Sequence, residues 1–288
     1  MVQLPPGAGV QDIARQLEDT GAVSSALLFQ LGAKLEGRER QLKAGEYLLK
    51  VGLSPNAIID MLRRGDVLLH KIAVPEGLTV KQIYGIVQQA DVLAGDLPPP
   101  VPEGTLMPAT YSVPRGEPRA KVVDRMHGGM ERLLADLWAK RDPDYPLTAP
   151  EQALTLASII EKETALPAEY PLVASVFLNR LKKGMRLQTD PTVIYGLTDG
   201  VGALGRPLTT ADLQADSPYN TYRVEGLPPS PIANPGKGAL EAALHPAATD
   251  YLYFVADGSG GHAFARTLEE HNRNVAKWRK LEKQPGAG

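Results

Sequence analysis

The sequence predicts an α+β fold in two parts: a small module over residues 1–72 and a larger mixed domain over 73–288, with its most distinctive motifs inside 148–265. Three observations lead there. The first third carries short amphipathic helix patterns, each after a glycine-containing turn, with a turn-into-strand segment between them. The middle carries long runs with apolar residues three and four apart, the period of helices that bury one face. The end reads as a strand, a glycine turn and a closing helix.

At 288 residues the chain has length for one large domain or two modest ones with ample core. Its 31 Lys+Arg against 33 Asp+Glu leave a net charge of -2, which argues against a nucleic-acid binder. With no cysteine, disulfides and cysteine metal sites are excluded, though the compartment is not fixed. His70, His127, His245, His262 and His271 lack close metal-ligand spacing, and no metal or cofactor is expected. No apolar run approaches the ~18 residues of a membrane span. Met1 to Gly7 has neither the basic start nor the apolar stretch of a signal peptide. The expectation is that this stretch begins downstream of a targeting or anchoring segment; a naturally soluble protein is the alternative.

Along the chain, Val10-Gln11-Asp12-Ile13, Pro55-Asn56-Ala57-Ile58 and Val80-Lys81-Gln82-Ile83 open short helices in a weak repeat, and Leu42 to Leu49 turns into a strand. Val92 to Gly116 is loop-rich, and Glu103 to Tyr111 within it has the character of a recognition loop. A helix over about 119–140 carries Val122, Val123, Met126, Met130, Leu133, Leu134 and Leu137 on its apolar side. A second runs from about Ala149 to Thr164, since Thr148 and Glu151 have capping-box spacing and Pro150 suits the first turn. A third spans about 171–183 and stops at Gly184. Asp190 then caps a short helix, with Pro191 at its first position and Gly196 at its end. Two proline-rich loops follow, Ser217 to Tyr222 and Gly226 to Gly236, and structured loops of that length are usually functional. Tyr251 to Ala256 is a strand, Gly258 to Gly261 a turn, and Thr267 with Glu270 caps a helix through Trp278.

The helix ending at Thr164 holds the candidate catalytic residue. Counting back from Glu163 by three, four and seven gives Ile160, Ile159 and Leu156, all apolar. Counting back from Glu161 gives Ser158, Ala157 and Leu154, a weaker face. Glu163 is therefore the acid that apolar surroundings desolvate, which raises a carboxyl pKa toward the range of a general acid, near 6 by this reasoning. The alternatives are a structural carboxylate paired with Arg180 or Arg186, and Glu161 as the acid.

These motifs resemble the endolytic murein transglycosylases of the YceG-like type. The resemblance lies in Leu156 to Thr164, Val173 to Leu181, Gly184 to Gly196, Tyr219-Asn220-Thr221-Tyr222, Gly226-Leu227-Pro228-Pro229, and Tyr251 to Ala256 with Gly261-His262. The Pro75-Glu76-Gly77 and Glu103-Gly104 loops also fit. The first part resembles a LysM module, a glycan-binding fold, with an ordinary α+β packing domain as the other reading. The resemblance implies an α+β fold and cleavage between MurNAc and GlcNAc inside peptidoglycan glycan strands, without water as the attacking group. It implies Glu163 as the catalytic acid. It also implies an N-terminal membrane anchor, with the catalytic part in the cell envelope; this chain departs from the pattern there. Peptidoglycan strands are the expected partner, with cell-wall synthases as candidate protein partners.

One acid suffices for such chemistry, because the C6 hydroxyl of the same MurNAc closes onto C1 as a 1,6-anhydro sugar, whereas common hydrolases need two carboxylates. Gln188, Thr189, Asp190, Tyr195, Tyr219, Asn220 and Tyr222 supply the amide, hydroxyl, carboxylate and aromatic groups that glycans require. Asp190 is open to two readings, as helix cap or as a second carboxylate that favours hydrolysis. His262 either lines the cleft or is a loop histidine bonded to backbone. The rival functions are a non-catalytic peptidoglycan-binding scaffold and a hydrolytic muramidase.

Overall fold

A computed structural model describes residues 1–35, 37 and 41–282. In chain order the elements are β1 (Val2–Leu4), α1 (Val10–Asp19), α2 (Ala26–Leu35), β2 (Gly45–Tyr47), α3 (Pro55–Arg64), β3 (Leu69–Ala73), α4 (Val80–Gln89), β4 (Leu93–Ala94), β5 (Thr110–Pro114), β6 (Glu117–Pro118), α5 (Arg119–Ala139), α6 (Pro150–Glu163), α7 (Tyr170–Lys182), α8 (Asp190–Thr198), α9 (Lys237–Leu244), β7 (Tyr253–Ala256), β8 (His262–Ala265) and α10 (Leu268–Glu282). Among the described residues no helix is long and apolar enough to cross a membrane.

The chain forms two compact units. The first takes in 1–72, 87–96 and 110–122, and the second 73–86, 97–109 and 123–288. A linear division at residue 72 thus omits two later segments that fold with the first unit. The reason lies in backbone pairing: β5 pairs with β3, and β6 runs parallel beside β4 through Leu93↔Glu117 and Ala94↔Pro118. Arg119 fastens the same segments by donating to the carbonyls of Val87, Gln88, Ala90 and Gly95.

In the first unit β1 and β2 pair antiparallel with Val2 opposite Tyr47, and α1 and α2 lie between them in sequence. Ile13, Leu17, Phe29, Tyr47, Ile58, Ile59 and Leu62 close its core. Tyr47 is fully buried, so its hydroxyl donates to the Lys43 carbonyl at 2.8 Å rather than remaining unpaired. Ser54 caps α3 by accepting from the Ala57 N–H at 3.2 Å, and Gly65 ends it with φ 76°. The third member of the sequence repeat differs from the first two, because residues 80–86 of α4 belong to the second unit.

The second unit is built around α6, with α7 and α9 packed on it and on each other. Every residue of α6 from Ala153 to Ile160 is buried, so this helix is enclosed on all faces rather than amphipathic. Its N-terminus differs from the Thr148/Glu151 expectation. With Pro150 at the first position, Gln152 stands third, and its Oε1 accepts from the backbone N–H of Thr148 at 2.9 Å and Ala149 at 3.2 Å. Within the core, Ser158 accepts from the Ile232 N–H at 3.0 Å and donates to the Thr155 carbonyl. The β7–β8 hairpin sets Phe254 opposite Phe264, and α10 packs against both strands.

Candidate active site

Glu163 is the last residue of α6 and opens onto a cavity of about 490 Å³ within the second unit. One wall comes from the segment after α7 and the start of α8, through Leu187, Gln188 and Asp190, joined by Tyr222. Further lining comes from β7 and α10, through Tyr253, Phe254, Val255, Leu268 and His271, and from Phe177 and Arg180 of α7.

Thr189 donates to Glu163 Oε2 at 2.7 Å. A chain of buried hydroxyls fixes Thr189 in turn: its N–H donates to Thr221 Oγ1 at 3.1 Å, Thr221 and Thr192 share a 2.8 Å contact, and Thr192 donates to the Thr189 carbonyl. Gln188 stands at φ 52°, a left-handed conformation that turns the chain so that its own N–H reaches the Thr221 carbonyl at 3.1 Å. This arrangement corrects the cap expectation for the α8 start. Thr189 is the N-cap residue and Asp190 the first helical one, the Thr189 hydroxyl is committed to Glu163, and the helix continues through Gly196 to Thr198.

Enclosure by protein pushes the Glu163 carboxyl from 4.5 up to about 7. The Thr189 hydrogen bond opposes the rise, the Asp190 charge adds to it, and His262 and Arg180 act weakly against it. No ion pair to Glu163 forms among the described residues. Arg180 instead donates to the carbonyls of Leu252 at 2.7 Å and Leu187 at 2.9 Å, and Arg186 to that of Tyr222. Oε2 is held by Thr189 and Oε1 has no protein partner among the described residues, so Oε1 is the oxygen free to carry the proton.

Glu161, the competing acid, is also raised by burial, and the weaker face behind it, Leu154, Ala157 and Ser158, is buried too. It has a different task. Its Oε2 accepts from the Gly236 N–H at 3.0 Å, at the start of α9, and its Oε1 accepts from the Tyr170 hydroxyl at 3.2 Å. Glu161 thus satisfies a helix N-terminus away from the cavity.

Of the other sequence candidates, Gln188, Asp190 and Tyr222 line the Glu163 cavity and Thr189 touches Glu163 itself. Asp190 accepts from the Tyr222 hydroxyl at 2.6 Å. Three candidates serve elsewhere. Tyr195 lines a separate cavity of about 340 Å³ with Thr79 and Gln82, its hydroxyl directed to Glu103. Tyr219 lies against Tyr195 at 4.9 Å between ring centres and bonds Ser230 at 2.7 Å. Asn220 is fully buried, donating to the Leu213 and Ala215 carbonyls and accepting from the Tyr222 N–H, so it shapes the loop that presents Tyr222. The Glu103 loop is likewise structural: Glu103 accepts from the Val80 N–H and, with Leu78, from the Asn234 amide. His262 opens β8 and does not line the cavity; its ring Nδ1 and backbone N–H both meet Glu169, at 2.7 Å each.

Sequence reasoning missed the aromatic wall of β7 and His271. The alternation Tyr251, Tyr253, Val255 against Leu252, Phe254 signals a strand with aromatic faces, but nothing local says which face meets the acid. Among the described residues no cluster of three or more His, Cys, Asp or Glu side chains has the arrangement to hold a metal.

The model of the YceG-like family matches residues 2–277. An endolytic murein transglycosylase of Bacillus subtilis is 34% identical over 310 aligned positions, covering 96% of this chain and 84% of that protein. A protein of the same name from Streptococcus pneumoniae R6 is 32% identical, covering 96% of this chain but 58% of its own length. The crystal structure of a yceG-like protein from Listeria monocytogenes superposes with a TM-score of 0.58 at 33% identity, covering 94% of this chain and 97% of that one. The chain belongs to the YceG-like family.

Proposed function

We propose that the chain is an endolytic murein transglycosylase: a lyase that cuts the MurNAc–GlcNAc bond inside peptidoglycan strands, with Glu163 as its single acid and base. The observation that carries this reading is a carboxyl raised to about 7 on the lining of a cavity of about 490 Å³, with one oxygen unpartnered. A group with that pKa is present in both forms near neutrality, as a group that first gives and then takes a proton must be. The protonated Glu163 donates to the glycosidic oxygen as the C1–O bond breaks. The carboxylate then takes the proton of the C6 hydroxyl of the same MurNAc, whose oxygen closes onto C1. Thr189 holds the carboxylate in place through both steps, and Gln188, Asp190 and Tyr222 offer polar contacts to the sugars. The names of the relatives support the same activity.

Two further parts of the reading rest on less. The segment 1–72 is taken as a LysM-like module that holds glycan. The protein is placed in the cell envelope at the cytoplasmic membrane, with cell-wall synthases as candidate partners. A second reading, hydrolysis by a muramidase, draws on Asp190, a second carboxylate lining the same cavity. Digestion of purified peptidoglycan followed by mass analysis of the ends separates the two. The lyase leaves anhydro ends lighter by one water, and strands of intermediate length accumulate early. Glu163→Gln is expected to lower cleavage by at least about 10²- to 10⁴-fold, the range for losing a positioned acid. Asp190→Asn is expected to leave the anhydro product unchanged. Full hydroxyl reducing ends, lost on Asp190→Asn, would replace the lyase with the muramidase.

A further inference from the structure

The lining of the Glu163 cavity contains a histidine that the proposed chemistry leaves unused. His271 sits in the first turn of α10, lines the Glu163 cavity, and stacks on Tyr253 with ring centres 5.2 Å apart and planes 25° apart. Its Nδ1 is buried with no hydrogen-bond partner, the one such side-chain nitrogen or oxygen among the described residues. A buried N–H without an acceptor is rarer and more costly than a buried lone pair. Nδ1 therefore carries the lone pair, and the ring proton sits on Nε2, the remaining donor position of a neutral imidazole. Burial, and secondarily the nearby charge of Arg180, disfavours the protonated ring.

Several other donors around this cavity are already spent. Thr189 gives its hydroxyl proton to Glu163, Tyr222 gives its own to Asp190, and Arg180 commits Nε and Nη1 to the carbonyls of Leu252 and Leu187. His271 Nε2 is one of four side-chain donors of the cavity lining with no protein partner among the described residues, beside the Gln188 amide, the Tyr253 hydroxyl and Arg180 Nη2. A polar ligand in a cavity whose donors face inward to one another needs such a group, since its own acceptors lose water on entry.

We propose that His271 is a substrate-binding residue of the Glu163 cavity, donating from Nε2 to an acceptor oxygen of an N-acetylated glycan. This rests on the glycan-cleaving reading above. The Tyr253 stack fixes the ring plane, the unpaired Nδ1 fixes the tautomer, and the shared cavity lets Glu163 and His271 meet the same sugar. Its part is to hold the strand, so it acts on KM rather than on the proton transfers.

The test uses soluble, uncrosslinked glycan strands as the probe. In the wild-type background His271→Phe keeps the aromatic stack and loses the N–H. KM is expected to rise about tenfold, the worth of one hydrogen bond to a ligand, with kcat within about threefold. Strand binding to Glu163→Gln and to the double variant gives the same comparison without turnover. Long-range ¹H–¹⁵N spectra of the histidine rings in Glu163→Gln report the tautomer directly, and decide the matter if His271→Phe does not fold. The Nε2–H form at pH 7, displaced when strands are added, is the expected result. Binding unchanged within about twofold in a folded His271→Phe protein, a proton on Nδ1, or a ring indifferent to strands would each overturn the proposal. If the wild type fails to cleave while strands still move the His271 resonance, the lyase reading falls and the binding role stands. If the wild type forms anhydro ends and His271→Phe binds and cleaves normally, only the His271 role falls.

Discussion

Removing the charge of Glu163 should make the protein more stable, and only above a definite pH. A carboxyl whose pKa is 4.5 in the unfolded chain and about 7 in the folded one binds its proton more tightly when folded. Below 4.5 both states are protonated and there is no penalty. As pH rises from 4.5 to about 7, the unfolded chain ionises first and the folded state loses ground; above that range the penalty is constant. The gap, at about 1.4 kcal/mol for each pH unit, is worth about 3 kcal/mol. Gln has the shape of Glu, stays neutral at every pH, and still offers an oxygen to the Thr189 hydroxyl. Glu163→Gln should therefore match the wild type at pH 4.5 and below, and exceed it by about 3 kcal/mol at pH 8. Urea unfolding at the two pH values, followed by tryptophan fluorescence, measures this. Both tryptophans, Trp138 and Trp278, belong to the second unit, so the signal reports the unit that holds the acid. An equal stability difference at both pH values, or a variant less stable at pH 8, would refute the claim that burial sets the Glu163 pKa.

Two other substitutions test the supports of the site. Thr189→Val removes the 2.7 Å donor to Glu163. Because that bond favours the charged form, its loss should move the pKa up by about one pH unit, seen as a later fall in activity with rising pH. An unchanged or lower value would mean the hydroxyl does not hold the carboxylate. Asn234→Ala strips the Leu106 N–H and Glu103 of a fully buried partner and should destabilise the second unit by about 3 kcal/mol; urea unfolding showing a loss under about 1 kcal/mol would count against that role.

How much of this was legible in the sequence depends on whether the deciding contact was local. The apolar residues behind Glu163 were local: Leu156, Ile159 and Ile160 are fully buried, as their spacing implied. The distinction from Glu161 was not local, because Ala157, Ser158 and Leu154 are buried too and α6 has no outer face. What separates the two acids is Gly236, seventy-five residues away, which occupies Glu161. The start of α8 was misread for the same reason: Thr189 and Asp190 both suit an N-terminus, and a contact with a distant helix draws the Thr189 hydroxyl to Glu163, leaving no side-chain cap bond. Tyr195 is five residues beyond Asp190 on α8, about 140° round the helix at 100° per residue, so neighbours in sequence point into different cavities. The β7 and α10 wall is assembled by packing alone.

The placement of the acid follows from where α6 ends. A helix enclosed on all faces can carry charge only near its termini, where the chain leaves the core, and α6 carries Glu161 and Glu163 in its last turn. Glu161 finds two donors, a backbone N–H and a tyrosine hydroxyl, and is absorbed into the scaffold. Glu163, two residues further, finds one hydroxyl and a cavity. One donor is too few to offset burial, and this shortfall keeps the proton on the carboxyl near neutral pH. A second donor to Glu163, or an arginine turned from the Leu187 and Leu252 carbonyls toward it, would stabilise the carboxylate and remove the acid. The backbone carbonyls that occupy Arg180 therefore contribute to the chemistry proposed for Glu163: they satisfy a buried cation without letting it pair with the acid.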